Sequence, residues 1–277
     1  MFPRPALETE VLQAVLDELP KRVASLERRR VDEGSAHVVF LIGTHAVIRI
    51  ARSPNAEAAM RRSQELVDSL PELGIAVPRS LTRVVTVGST SGCAVEFVPG
   101  VPAPAGPAPS ARLRRLLDTI QSIPVSAVAG TASPPLAFCG GDRWYEVQQE
   151  LVLPRLTPAL RPRARRTIEA LAELAEQRDT VSHGDLAGHN IHWAGGEVVG
   201  VVDWDLTSVS DRATDIASLA AWHGFDELAP VVSEGDMIRA RVRFDTFPLQ
   251  QLAFAILADR PGAEVERVMA RAKRTLS

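Results

Sequence analysis

The residues best suited to chemistry lie in two short segments, residues 183–190 with the sequence HGDLAGHN and residues 201–205 with the sequence VVDWD. Asp185 stands where a general base is expected, and Asn190 and Asp203 stand where magnesium ligands are expected. Mg²⁺ takes a few hard oxygen ligands from a protein and keeps its other positions for water and phosphates. Transfer of a phosphoryl group from a nucleotide needs such ligands and a carboxylate near the attacking hydroxyl. The two segments therefore predict a phosphoryl-transfer centre.

The spacing of these residues predicts a hairpin that brings their side chains to one rim. Asp185 and Asn190 share a tight loop that leads into a short predicted strand, and the glycine pair in residues 194–197 indicates a turn. The β-branched run 198–202 predicts a buried strand, which delivers Asp203 at its end. The alternative interpretation is a solvated, glycine-containing turn preceded by a buried structural histidine.

With these motifs the chain resembles the aminoglycoside phosphotransferase family, which belongs with choline and homoserine kinases to the kinase-like superfamily. The resemblance is clearest over residues 180–221. This segment contains the family pattern HGDxxxxN, an aspartate after the following strand, and an Asp-x-Ala tripeptide at residues 215–217. The likeness implies a two-lobed, protein-kinase-like α+β fold, with a small N-terminal antiparallel sheet lobe and a larger, mostly helical C-terminal lobe.

The same resemblance implies roles for individual residues of this chain. Asp185 is the expected catalytic base, and Asn190 and Asp203 are the expected Mg²⁺ ligands. His183 and Asp215 are expected to support the catalytic loop. The co-substrate implied by the family is ATP or GTP.

Length and composition indicate an ordinary globular protein with one large domain or two smaller lobes. The 277 residues are 45% hydrophobic and 23% charged, with a net charge of −3. So small a negative charge argues against nucleic acid as the main partner and is compatible with a cationic substrate. Cys93 and Cys139 form no CxxC pair, so we expect neither a zinc site nor a disulfide framework, in a reducing compartment. Without an apolar signal region or a run of about eighteen apolar residues, we expect a cytoplasmic protein that does not enter a membrane.

The first hundred residues favour a small sheet with one or two helices. Apolar positions recur every four residues near the N-terminus, which predicts an amphipathic helix. β-Branched runs separated by glycine-containing turns predict strands joined as hairpins. The predicted helices cover residues 6–19 and 54–70, and the predicted strands cover residues 38–42, 46–50, 80–87 and 93–98.

A proline-rich segment, residues 99–109, separates this part from a region of predicted helices. Proline at this density continues neither a helix nor a central strand, so we predict an extended, fairly stiff linker, with a surface loop inside one domain as the alternative. The predicted division is a nucleotide-binding lobe (residues 1–98), a hinge (residues 99–110) and a helical lobe with the catalytic loop and substrate pocket (residues 111–277). Helices are predicted over residues 111–123, 163–178, 214–222, 248–258 and 263–276, with a long loop over residues 124–142.

Weaker signals point to the nucleotide-binding part of the predicted site. The GxxxxGK[ST] phosphate loop and the GxGxxG of protein kinases are absent from the sequence. Gly34, Ser35 and His37 precede the first predicted strand and are candidates to hold phosphates, with an ordinary hairpin turn as the alternative. Arg49, among apolar residues of the next strand, is the candidate cation that clamps the phosphates. On an edge strand it would instead be solvated.

The chain departs from the family at the glutamate that pairs with this cation from the following helix. Ser63 stands at the expected position, which leaves Glu57, Glu65, a different partner or a remodelled site as alternatives. Glu96 and Val98 match the inter-lobe hinge, where backbone groups read the adenine in family members. A plain strand end fits the same two residues.

Aromatic and acidic residues after position 205 indicate an acceptor pocket. Trp222, Asp226 and Glu227 would suit an amine-rich antibiotic, and the alternative is a solvated helix end with core aromatics. Asp205 has three open interpretations, namely a contribution to the metal site, a substrate contact and a solvated surface position.

The predicted reaction is direct, in-line transfer of a terminal phosphoryl group to a hydroxyl of a small molecule. A protein kinase would have Asp-Phe-Gly and an activation segment, whereas Trp204 follows Asp203 here and the next predicted helix begins almost at once. Residues 246–251 also resemble bacterial antibiotic kinases. We therefore expect the acceptor to be an antibiotic, such as an aminoglycoside, a macrolide or a basic cyclic peptide, whose phosphorylation causes resistance. The alternatives are a metabolic kinase of the choline, homoserine or sugar type and a catalytically inactive nucleotide-binding protein.

Overall fold

The computed structural model describes residues 5–31, 36–174 and 177–276. The chain divides into two compact units. The first unit comprises Met1–Ala103, Ala127–Ala132 and His189–Asp205, and the second comprises Pro104–Ser126, Ser133–Gly188 and Leu206–Ser277.

The secondary-structure elements of the described residues are numbered in chain order. The strands are β1 Arg28–Val31, β2 His37–Ile42, β3 Ala46–Ala51, β4 Val85–Val87, β5 Thr90–Glu96, β6 Val101–Pro102, β7 Thr180–Ser182, β8 Ile191–Ala194, β9 Glu197–Val201 and β10 Ser208–Ser210. The helices are α1 Pro5–Glu18, α2 Lys21–Ala24, α3 Pro54–Ser69, α4 Ser110–Gln121, α5 Val125–Val128, α6 Trp144–Val147, α7 Arg161–Ala172, α8 Ala213–His223, α9 Phe225–Leu228, α10 Glu234–Leu257 and α11 Gly262–Leu276. Short 3-10 turns cover Ala137–Cys139, Gly141–Arg143, Leu153–Arg155 and Gly188–Asn190, and a π-helical turn covers Gln148–Val152.

The first unit is built on a five-stranded antiparallel sheet with the strand order β1-β2-β3-β5-β4. Successive side chains of a strand point to opposite faces. Ile48 and Ile50 of β3 pack in the core formed with α1, whereas Ala51 packs with Met60 of α3 on the other face. Arg49 therefore lies on the α3 face of the central strand. The edge-strand alternative for Arg49 is wrong.

Helix α3 begins with a capped turn. The Ser53 hydroxyl accepts a hydrogen bond from the backbone N–H of Ala56 at 3.2 Å, and Pro54 occupies the first turn, where its missing N–H is harmless. These signals fix the start of the helix that covers the Arg49 face of the sheet.

A three-stranded antiparallel sheet of the first unit, in the order β6-β8-β9, carries two of the predicted site residues at one end. The proline-containing strand β6 lies at its edge, where a missing ladder hydrogen bond is tolerated. Gly200 of β9 approaches Val98 and the backbone of Ala76 so closely that a Cβ atom would collide with them. This close approach ties the hairpin β8–β9 to the segment after β5.

The second unit is mainly helical. Its core combines α7, α10 and α11, with Ile168, Leu249, Leu252 and Leu276 among its buried members. A two-stranded antiparallel sheet pairs β7 with β10 through Val181 and Val209, and β7 leads directly into the loop that carries Asp185. Among the described residues, no helix has the length and apolar character needed to cross a membrane.

The predicted α+β class is confirmed, because an antiparallel sheet forms the N-terminal part and helices dominate the C-terminal part. Several predicted elements were wrong in extent, and three of them are instructive. The strand predicted over residues 80–87 is only Val85–Val87, and the helix predicted over residues 163–178 is Arg161–Ala172. The third is the helix predicted to begin at Pro248, which is the last part of the long helix Glu234–Leu257.

Pro248 does not end α10 because the helix around it is held by side chains and by packing. Proline normally breaks a helix interior by removing one backbone hydrogen bond. Here the Thr246 hydroxyl donates to the carbonyl of Arg243 at 2.6 Å, and Gln250 donates to the Thr246 hydroxyl at 2.6 Å. Tertiary burial of Pro248 and its neighbour Leu249 keeps the helix continuous.

Candidate active site

Asn190 and Asp203 lie at the same end of the β8–β9 hairpin. Ile191 pairs with Val201, and the N–H of Val202 donates to the carbonyl of Asn190 at 2.9 Å. Asn190 is buried, whereas the Asp203 side chain is 52% exposed. Asp203 adopts a φ of 62°, a conformation uncommon for a residue with a Cβ atom. The hairpin thus places two residues with oxygen-bearing side chains at one end, and the side chain of Asp203 is open to solvent.

Arg49 is held in a buried cluster with His37 and Asp205. Its Nη2 atom lies 2.8 Å from Oδ2 of Asp205 and 3.2 Å from Nδ1 of His37. The same Nη2 atom is 3.7 Å from Oδ1 of Asp203. The side chains of Arg49 and Asp205 are only 11% and 12% exposed. The interpretation of Asp205 as a solvated surface residue is therefore wrong.

Burial and charge together set the protonation of this cluster. Burial lowers the pKa of His37 to about 3, and the charge of Arg49 acts in the same direction, so its imidazole is neutral at pH 7. Burial alone would raise the pKa of Asp205, but the charge of Arg49, its hydrogen bond and the other neighbouring groups together outweigh burial, and the pKa falls below its usual value. Burial alone would lower the pKa of Arg49, but the charges of Asp205 and Asp203 raise it. The neutral His37 accordingly accepts a hydrogen bond from the charged guanidinium.

Helix α3 does not supply the carboxylate that contacts Arg49. Ser63, at the position expected for glutamate, is 3% exposed. Glu57 pairs with Arg61 at 3.0 Å, and Glu65 is exposed. Asp205, and neither Glu57 nor Glu65, is the partner of Arg49.

In the second unit, Asp215 of α8 anchors the backbone that leads to Asp185. Its Oδ2 accepts a hydrogen bond from the N–H of His183 at 2.8 Å, and its Oδ1 accepts one from the N–H of Gly184 at 3.0 Å. His183 is buried, and its Nδ1 accepts a hydrogen bond from the N–H of Asp185 at 3.3 Å. Burial raises the pKa of Asp215 to about 7, against the two backbone donors, which lower it. The loop before Asp185 is therefore held from two sides.

Two glycines allow close packing of this loop. Gly184 has a φ of 86°, and a Cβ atom there would collide with the carbonyl of Leu206. A Cβ atom at Gly188 would collide with the indole ring of Trp222. Trp222, predicted to bind substrate, thus packs against the loop of residues 183–190. Its contact with a substrate stays a prediction.

The remaining nucleotide-binding candidates differ in burial. Gly34 and Ser35 lie outside the described residues. Glu96 is exposed at the end of β5. Val98 is buried, and its carbonyl oxygen is 3.1 Å from Nδ1 of His192.

The acidic candidates for the acceptor pocket lie in the short helix α9. Asp226 is exposed. Glu227 accepts a hydrogen bond from the hydroxyl of Ser110 at 3.4 Å. The structure leaves both side chains at a helix start, and their role towards a substrate stays a prediction.

One charged cluster of the second unit was not predicted from the sequence. The fully buried Asp211 contacts Arg239 at 2.9 Å and Arg243 at 3.3 Å, and accepts a hydrogen bond from the N–H of Ala213 at 2.9 Å. Burial would raise the pKa of Asp211, but the Arg239 hydrogen bond and its other partners lower it. An aspartate just before a helix, with two arginines on the next long helix, was the available signal.

Residues 27–253 match the profile of the APH family, described as the phosphotransferase enzyme family. The match spans most of the chain, so the chain belongs to this family and is a phosphotransferase.

Individual relatives agree with this assignment. The chain is 29% identical to viomycin phosphotransferase of Streptomyces vinaceus over 259 residues, which cover 85% of this chain and 88% of the relative. The solved GDP complex of aminoglycoside 2'-phosphotransferase-IIIa superposes with a TM-score of 0.75 at 12% identity and covers 99% of both chains. The macrolide 2'-phosphotransferase MphH of Brachybacterium faecium superposes with a TM-score of 0.64 at 20% identity, covering 94% of this chain and 97% of that one. These structural likenesses show that the fold is kinase-like.

Proposed function

We propose that the protein is a cytoplasmic, Mg²⁺-dependent enzyme that transfers the terminal phosphoryl group of ATP or GTP to a hydroxyl of a basic cyclic peptide antibiotic of the viomycin class, and so confers resistance. The observation that carries this proposal is the 29% identity to viomycin phosphotransferase across 85% of the chain. The acceptors named for the structural relatives, aminoglycosides and macrolides, are the second candidates.

Asp185 is proposed as the general base. It would orient the acceptor hydroxyl and take its proton as the oxygen–phosphorus bond forms. The nucleoside diphosphate leaves as the bond between its terminal oxygen and the transferred phosphorus breaks. Support for this role comes from the loop, whose backbone is hydrogen-bonded to Asp215 on one side and to His183 on the other.

Asn190 and Asp203 are proposed as the Mg²⁺ ligands. An amide oxygen and a carboxylate are hard donors, and the half-exposed Asp203 leaves room for water and phosphate oxygens, so the two residues fit this ion. When bound, Mg²⁺ supplies neutralisation of phosphate charge. Arg49 is proposed to bind the phosphate oxygens through its buried, charged guanidinium.

The nucleotide is proposed to bind the N-terminal lobe of residues 1–98, with the hinge at residues 99–110 and the acceptor on the helical lobe of residues 111–277. Gly34, Ser35 and His37 are proposed at the phosphates, with Glu96 and Val98 at the base. The carboxylates of Asp226 and Glu227 and the net charge of −3 favour a cationic acceptor rather than a nucleic acid or a membrane surface.

The test is a transfer assay with the full chain, Mg²⁺ and terminally radiolabelled ATP or GTP. Acceptors are viomycin, kanamycin, a macrolide, choline and homoserine. Label on viomycin, and growth of a sensitive bacterium on viomycin when it expresses the chain, are the expected results. Preferential labelling of choline or homoserine would replace the proposal with a metabolic kinase. Tight nucleotide binding without label on any acceptor would replace it with an inactive nucleotide-binding protein.

A further inference from the structure

The environment of Arg49 contains a carboxylate to which the proposed reaction assigns no role. A carboxylate beside an arginine fixes the orientation of the planar guanidinium, because the geometry of the two groups matches. The expected source, helix α3, presents Ser63 at the relevant position. The observed source is Asp205, separated from Arg49 by 156 positions in the chain.

Several contacts hold Asp205 in position beside Arg49. Its carboxylate lies 2.8 Å from Nη2 of Arg49, and both side chains are nearly buried. Arg62 of α3 donates a hydrogen bond to the Asp205 carbonyl at 3.4 Å, so the backbone of residue 205 is also tied to the helix. Ser63, the next residue of α3 after Arg62, is 3% exposed.

His37 completes the arrangement from the other side. Its neutral ring accepts from the same Nη2 atom at 3.2 Å, so it restrains the guanidinium without competing for the carboxylate as a second cation would. The carbonyl of His37 in turn accepts a hydrogen bond from Arg52 at 3.0 Å. The position of Arg49 is therefore determined by Asp205 and His37 together.

Asp203 gives this arrangement a consequence for metal binding. Its Oδ1 lies 3.7 Å from Nη2 of Arg49, whereas the Asp205 oxygen lies at 2.8 Å. Two carboxylates that are two residues apart thus share one cation unequally. If Asp205 lost its charge, Asp203 would be the anion nearest to Arg49 among the residues that the structure describes, and pairing with Arg49 would compete with metal binding.

We propose that Asp205 is a positioning residue that takes the place of the α3 glutamate: it orients Arg49 for the nucleotide phosphates and keeps the guanidinium from pairing with Asp203. This inference rests on the proposed function, in which Arg49 binds phosphates and Asp203 binds Mg²⁺. Asp205 contacts Arg49 and lies two residues from Asp203, the proposed metal ligand. Phosphate binding and Mg²⁺ binding are therefore coupled through residue 205.

Calorimetric binding to the full chain tests this without any acceptor. The probes are ADP and GDP, each titrated with and without Mg²⁺, and adenosine and guanosine as ligands that lack phosphates. For Asp205→Asn we expect the Mg²⁺-dependent diphosphate affinity to fall by about 10- to 100-fold, the range typical when a residue that orients a ligand is removed. Nucleoside affinity should not change. Glu57→Gln and Glu65→Gln, which remove the carboxylates of α3, should bind all probes like the wild type.

A variant that moves the carboxylate from residue 205 to residue 63 controls for a general folding defect. The double variant Ser63→Asp with Asp205→Ser conserves composition and moves the charge to the neighbouring helix position. It should bind Mg²⁺ and ADP or GDP more tightly than Asp205→Ser alone. Thermal unfolding of each variant identifies the temperature at which all are folded, and binding is measured there.

The remaining outcomes would contradict the role of Asp205, the proposed function or both. Wild-type diphosphate affinity in Asp205→Asn, equal losses for nucleosides and diphosphates, or no gain from the double variant would overturn the role of Asp205. A wild-type protein that binds Mg²⁺ and nucleotide but labels no acceptor would overturn the proposed function and leave the role of Asp205 intact. A wild-type protein that binds no nucleotide would overturn both.

Discussion

Asp215 accepts a hydrogen bond from the backbone N–H of Gly184 at 3.0 Å, one residue before Asp185. A second one, from the N–H of His183 at 2.8 Å, makes the carboxylate a two-point anchor. Asp215 is 1% exposed, so the anchor is shielded from water. The backbone that leads to Asp185 is thus held by a helix residue that need not touch any substrate.

The pH dependence of stability tests this anchor. Burial raises the pKa of Asp215 from 3.8 to about 7 in the folded protein, so the folded state binds this proton more tightly than the unfolded chain does. Its contribution to stability is therefore greatest below about pH 4 and is lost as the pH rises to about 7. Asp215→Asn should remove this trend, so the stability of the variant relative to the wild type should improve between pH 4 and 7. Urea unfolding at a series of pH values measures the difference, and a difference that does not vary with pH would contradict the shifted pKa.

The contact between Gly188 and Trp222 predicts a substitution that damages the loop by overpacking. Gly188→Ala would drive a methyl group into the indole ring and should destabilise the protein by about 1–3 kcal/mol, with a lower kcat because Asp185 is three residues away. Trp222→Ala in the same chain should relieve part of the loss in stability, since the two side chains are in contact. Gly130→Ala is the matched control, because a Cβ atom at Gly130 meets no neighbour within 4 Å. Additive effects of Gly188→Ala and Trp222→Ala would show that the contact does not matter.

Loss of the buried Asp211 should destabilise the second unit. Asp211→Asn leaves Arg239 and Arg243, whose side chains are 19% and 16% exposed, without their shared anion. Removing one partner of such a cluster costs about 3–5 kcal/mol, and partial exposure of the arginines favours the lower end. Asp118→Asn, which breaks an exposed pair with Arg114, should cost less than about 1 kcal/mol. Chemical denaturation compares the two, and similar losses would mean that burial of Asp211 is not what makes it important.

The local parts of the candidate site could be predicted from the sequence. The loop and hairpin that carry Asn190 and Asp203 are contiguous, and glycine turns and a β-branched run mark their ends. The position of Arg49 among apolar residues also favoured a phosphate-binding cation over a solvated one. In both cases the informative residues lie close together in the chain, so their spacing alone predicts the local structure that contains them.

Long-range contacts could not be predicted in the same way. The pairing of Arg49 with Asp205 joins residues 156 positions apart, and no periodicity connects them. The continuity of α10 through Pro248 likewise depends on burial against other helices, which overrides the local preference of proline to end a helix. Tertiary packing, rather than local propensity, determines both the Arg49–Asp205 pair and the continuity of α10.

The central claim is that Asp185 is the base of a phosphoryl transfer. Its most direct test is the steady-state rate of phosphoryl transfer from ATP or GTP to viomycin by Asp185→Asn, measured beside Mg²⁺-nucleotide binding to the same variant. We predict a fall in kcat of about 10²- to 10⁴-fold with unchanged nucleotide affinity, because the substitution removes the proton acceptor and leaves the phosphate ligands in place. A variant that transfers phosphate at the wild-type rate would contradict the account.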